Sequence, residues 1–143
     1  MQPSKQRWVI KLKSPACENI FRNLPGNPKW EGSFYEQLSE HGRWDIDEFW
    51  ILHLAITQTA KSLKQSDLIE KKLALNVVVL QSRIDQLFVA HFNKNDAYEI
   101  LDLSVDELFA FKERFDLAVM GVFSGEVLPE SSFELTNPLL RFP

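Results

Sequence analysis

Leu73–Phe92 reads LALNVVVLQSRIDQLFVAHF, and the fold class turns on how this stretch is taken. Leu73, Val77, Leu80, Ile84, Leu87 and His91 recur at intervals of four and three, which stacks them along one face of an α-helix. Ala74, Val78, Phe88 and Val89 widen that face. Arg83 and Asp85 interrupt the apolar run, so the pattern describes a helix inside a protein rather than a membrane span. A helix this apolar needs cover on most sides from its own chain, and the expectation is a central helix.

The covering pieces are marked by their starts. Ser33, Asp45 and Ser104 are each followed three residues later by a glutamate (Glu36, Glu48, Glu107) ahead of an apolar run. The first side chain then accepts from the backbone N–H three residues on, and the glutamate reaches back. These signals predict helices over Phe34–Glu40, stopped near Gly42, from Ile46 to about Leu63, and from Val105 to about Phe123, ended by Ser124-Gly125. Phe49, Trp50, His53, Ile56, Ala60 and Leu63 fall on one side of the second, and Leu108, Phe111, Phe115, Ala118 and Val122 on one side of the third. Ser14-Pro15 starts a short helix through about Asn23, closed by the turn Pro25-Gly26-Asn27-Pro28. Lys64–Asp67 reads as a loop or cap, with the long helix beginning as early as Leu68.

Two segments lie outside this frame. Arg7–Lys13 is short, β-branched and partly alternating, which fits a strand, but no second strand follows to pair with it. Residues 126–143 hold three prolines together with Phe133, Leu135, Leu139, Leu140 and Phe142, too apolar for a disordered tail, and should lie across the helices. The expected architecture is mainly α: a single-domain helical bundle around a central apolar helix, core 14–125, tail 126–143.

At 143 residues the chain can bury one core without disulfides or a structural metal. Cys17 is its single cysteine, no zinc-ligand spacing occurs, and no signal peptide opens the chain, so a reduced, cytoplasmic setting is expected. The net charge of −4 is unevenly spread. Residues 1–30 hold six bases and one acid, whereas residues 95–143 hold three bases and ten acids. That last third is the wrong sign for binding nucleic acid and the right sign for a basic partner.

Motifs of chemistry are scarce. There is no phosphate loop, GxGxxG, nucleophile elbow or zinc knuckle, and the five glycines do not cluster. No catalytic residue, metal or cofactor is therefore assigned. His53 and His91 fall on apolar helix faces, where a base or metal site and a pair of hydrogen-bonded core histidines are both readable. Cys17 lacks an assignable His or Asn and reads as a buried, inert thiol. A small helical enzyme or ligand-binding domain built on His53 and His91 is the alternative to a binding protein.

The acidic run is the better candidate site. Asp96, Glu99, Asp102, Asp106 and Glu107 lie within twelve residues, with Tyr98 among them, and no Lys or Arg occurs from Asn95 through Phe111. Asp106 and Glu107 open a helix, where the dipole favours negative charge without any partner. The others sit in a turn and connector and would attract a basic protein surface.

Phe21-Arg22-Asn23, Trp30-Glu31-Gly32-Ser33-Phe34, Trp44-Asp45 and Asp47-Glu48-Phe49-Trp50 resemble one group of bacterial immunity proteins, near the immunity protein family numbered forty-one. The likeness continues through His91-Phe92, Asn95-Asp96, Tyr98-Glu99-Ile100, Asp106-Glu107-Leu108 and Phe123-Ser124-Gly125, spanning roughly residues 20–125. These are the antidotes paired with contact-dependent growth inhibition and other polymorphic toxins. The resemblance implies a compact, cytoplasmic, non-enzymatic protein that binds one cognate toxin domain, with no nucleic acid or membrane partner. It implies that the toxin's active or substrate-binding surface is covered.

Overall fold

Ser14, Ser33, Asp45 and Ser104 each accept a hydrogen bond from the backbone N–H three residues on, and a helix starts at each. The computed structural model describes residues 14–140; the strand reading of Arg7–Lys13 lies outside the described residues. In chain order the helices are α1 (Pro15–Phe21), α2 (Phe34–His41), α3 (Ile46–Leu63), α4 (Lys71–Phe92) and α5 (Val105–Ser124). Two 3-10 turns, Glu130–Ser132 and Pro138–Leu140, shape the tail. Among the described residues there is no strand. The mainly α architecture stands.

The caps differ in detail from the sequence pattern. Only Ser104 and Glu107 form the reciprocal box. Glu36 instead accepts from Gly32 N–H, and Glu48 turns away to meet Arg22. Glu70, not the Lys64–Asp67 segment, caps α4, its carboxylate accepting from Leu73 N–H at 3.0 Å. Ser66 is occupied with Leu68, accepting from its N–H and donating to its carbonyl, so α4 cannot begin as early as Leu68.

The central helix is α3, and the expectation that Leu73–Phe92 takes that role is corrected. Ten α3 residues are buried, including His53, Thr57 and Thr59, and α3 packs against α1, α2, α5 and the Pro138–Leu140 turn. By contrast α4 buries one stripe, Leu73, Val77, Leu80, Ile84 and Phe88. Leu87 and His91 are only half-buried, because the inner stripe swings to Phe88 in the last turns. Leu75, Val78 and Val89 face solvent. By length and composition alone α4 is apolar enough to cross a bilayer, the one such helix among the described residues, but its inner stripe belongs to the common core.

Aromatic rings fill the centre. Trp44 meets Phe34 edge-on at 4.7 Å between centroids and lies 5.3 Å from both Phe49 and Phe111. Phe88 brings α4 into the same cluster, edge-on to Trp44 at 6.0 Å. Cys17 is buried and carries a free thiol. The tail folds back over α3 and α5, tied by a hydrogen bond from Asn137 to Trp50 and by an ion pair between Arg114 and Glu130.

Candidate protein-docking surface

The chain between α4 and α5 has no regular structure, yet it is fixed at four points. Tyr98 Oη donates to Leu38 carbonyl at 2.6 Å, and Ile100 N–H donates to His91 Nδ1 at 3.0 Å. Leu101 N–H donates to Gly42 carbonyl at 2.9 Å, and Trp44 N–H donates to Asp102 Oδ1 at 2.9 Å. Residues 98–102 therefore form a strap pinned to the ends of α2 and α4. Gly42 makes the close approach possible: it sits at φ +62°, and a Cβ there would lie 2.2 Å from Glu99 carbonyl oxygen.

All five acids singled out in the sequence are exposed, and Tyr98 is half-buried among them. They do not share one role. Asp96 accepts from Tyr98 N–H at 2.9 Å and closes a turn. Asp102 holds Trp44. Glu107 completes the α5 cap, and its hydrogen bonds with Ser104 lower the carboxyl pKa. Among the described residues, Glu99 and Asp106 have neither an ion pair nor a side-chain hydrogen bond. Burial raises the Tyr98 phenol, with a smaller push from Tyr35, so it remains a neutral donor.

Beside the strap lies an apolar patch that the acidic run alone does not announce. Phe92 at the end of α4 and Phe109 in the second turn of α5 stack with centroids 5.4 Å apart and ring planes 5° from parallel. They are 44% and 55% exposed, and Val89, Leu101 and Val105 nearby in the chain reach 70%, 70% and 50%. The signal was present in the sequence: Phe109 falls outside the inward spacing of α5, and so does Val105. Phe88, Val89, Phe92 and Phe109 line one groove with Asp85 and Lys112. Lys112 Nζ lies 2.5 Å from Asp85 and 2.6 Å from Asp116. Burial opposes its charge, but hydrogen bonds to both carboxylates outweigh that and raise its pKa.

His53 and His91 belong to different clusters. His91 accepts from Ile100 N–H and meets Phe92 edge-on. His53 is buried, with Asn137 Nδ2 at 2.9 Å from Nδ1 and Arg114 Nη2 at 3.2 Å from Nε2. Burial and the Arg114 charge push its pKa down to about 3, so the ring is neutral near pH 7. Asn137 Nδ2 also donates to Trp50 carbonyl while its Oδ1 accepts from Leu139 N–H, which fixes the amide's orientation. A cavity of about 100 Å³ adjoins this cluster, lined by His53, Thr57, Arg114, Met120, Glu130 and Phe133 among others. It is well below the roughly 300–1,000 Å³ of ordinary small-molecule sites. Among the described residues no three His, Cys, Asp or Glu side chains gather as metal ligands.

Several residues behind the immunity-protein resemblance serve packing. Arg22 Nη1 binds both Glu48 oxygens, at 2.8 and 3.2 Å, while its Nε and Nη2 donate to the carbonyls of Lys29 and Glu31. Asn23 accepts from Tyr35 N–H and donates to Asn19 carbonyl. Comparison with protein-family models, with curated proteins and with solved structures finds no match.

Proposed function

We propose that this chain is an immunity protein that binds one cognate toxin domain and neutralises it by covering its active or substrate-binding surface. The observation that carries the reading is the exposed acidic strap, with no Lys or Arg from Asn95 through Phe111 to answer it. A toxin that cleaves nucleic acid needs a basic substrate face. An acidic antidote meets such a face quickly, and rejects surfaces of its own sign. The pinned backbone supports the same reading, since a surface already ordered loses little freedom on binding.

The action is non-enzymatic, needs no cofactor, and takes place in the cytoplasm, where a delivered nuclease would meet its substrate. The acidic set Asp96, Glu99, Asp102, Asp106 and Glu107, with Tyr98, forms the partner-facing region. The alternative, an enzyme or ligand-binding domain using His53 and His91, gains no shared site from the separate placement of the two rings.

The test is co-expression with the adjoining reading frame. A toxin-like C-terminal domain there should kill cells alone, be harmless beside this chain, and co-purify with it. Killing that persists despite soluble, folded antidote sinks the proposal.

A further inference from the structure

Acids explain attraction, but not what an interface would bury. We propose that the stacked pair Phe92 and Phe109 is the apolar anchor of the docking surface. It takes an aliphatic or aromatic side chain that projects from a basic protein surface. The inference rests on the toxin-binding reading above and names the chemistry of the partner at that same face.

The two rings hold each other. They come from different helices and stack within 5° of parallel, so they are ordered before any partner arrives. Both remain about half exposed, and Val89 beside them is 70% exposed. A cluster of aromatic surface inside a charged margin is the anatomy of an interface centre with its rim.

Charge decides which partner fits. Asp106 lies three residues before Phe109 on α5, and Asp96 and Glu99 follow Phe92 along the chain, outnumbering the one exposed cation between them, Lys94. The single cation in the groove, Lys112, is matched by both Asp85 and Asp116, so the groove itself carries a negative balance. A second copy of this chain would bring the same negative margin against it, and like charges would oppose the approach. A protein surface with Lys or Arg around a projecting apolar side chain answers both parts.

The probe is the toxin-like domain encoded by the adjoining reading frame, inactivated at its own catalytic residue. The double variant Phe92→Ala with Phe109→Ala should keep its helical circular dichroism and raise Kd by about 30-fold or more, chiefly through faster dissociation. Val89→Gln, at a position open to solvent, supplies a second reading if the double variant does not fold, with an expected loss of at least about threefold. Unchanged Kd in both, with the wild type binding tightly, overturns the anchor and leaves the toxin-binding reading standing. No binding by the wild type overturns both. A wild-type dimer in sedimentation that Phe109→Ala dissociates overturns the proposal in favour of a second copy as occupant.

Discussion

Trp44 N–H donates to Asp102 Oδ1 at 2.9 Å, across 58 positions of the chain. An acid that the sequence offers to a partner is thus first a tether between the start of α3 and the strap. The acidic run therefore divides into residues that build the surface and residues free to use it.

That division predicts different outcomes for members of one run. Asp102→Ala should lower unfolding free energy by about 1–3 kcal/mol, because a charged acceptor of a backbone N–H is lost. Glu99→Lys with Asp106→Lys should leave the urea midpoint nearly unchanged and slow toxin association about tenfold at low salt. The double variant's rate curve should converge with wild type as salt is raised. Equal association rates at low salt would remove these acids from the encounter.

Gly42 is another of the strap's four fixed points. Its φ of +62° disfavours any side chain, and a Cβ would stand 2.2 Å from Glu99 carbonyl oxygen. Gly42→Ala should cost about 2 kcal/mol or more, beyond the roughly 1–2 kcal/mol of a left-handed conformation alone. Hydrogen exchange at Leu101 N–H, which is bonded to Gly42 carbonyl, should speed up. If it stays as protected as in wild type, the strap is held without this contact.

The pH dependence of stability follows from His53. Burial first, and the Arg114 charge second, push its pKa down to about 3, whereas an unfolded histidine titrates near 6.5. Above pH 6.5 both states are neutral there and the ring contributes no slope. Below it the unfolded chain takes up a proton that the native ring refuses. Stability should then fall by about 1.4 kcal/mol per pH unit between about 6.5 and 3. His53→Leu should flatten that part of the curve relative to wild type in denaturant titrations at successive pH values. An unchanged slope would show that His53 is not the group responsible.

The helix starts were legible because a cap is a local event, complete within four residues, as at Ser104 and Glu107. Which helix lies at the centre was not. Thr57 and Thr59 make α3 look half-polar, but their hydroxyls donate to the helix's own Leu54 and Ala55 carbonyls, so they enter the core satisfied. In α4 the apolar surplus at Val78 and Val89 reads as core and is surface. Composition does not separate a helix that is buried from one that keeps an apolar outer face. The acids were readable as a set, but the tie of Asp102 to Trp44, and those of Tyr98 to Leu38 and Leu101 to Gly42, join residues some sixty positions apart. The anchor pair was missed because Phe92 and Phe109 meet only once α4 and α5 are packed.

Asn137 gives the sharpest test of how the tail is held. It is buried, donates to Trp50 carbonyl at 3.2 Å, lies 2.9 Å from His53 Nδ1, and its backbone N–H donates to Glu130 at 2.6 Å. Glu130 in turn pairs with buried Arg114, whose guanidinium lies 3.8 Å from the centre of the Phe133 ring. Asn137 therefore links α3, through its amide, to Glu130, through its backbone N–H, and Glu130 carries the connection on to α5. Asn137→Ala removes the amide that reaches Trp50 carbonyl and His53 Nδ1 in a closed setting but keeps the backbone bond to Glu130, at a cost of about 1–3 kcal/mol. Asn137→Asp should be worse: it keeps the shape but places an acceptor against Trp50 carbonyl and adds a charge beside Glu130. Limited proteolysis should cut both variants between Val127 and Leu135 before the helices are touched. Cleavage beginning within α3 or α5 instead would mean that the tail does not open as a separate unit.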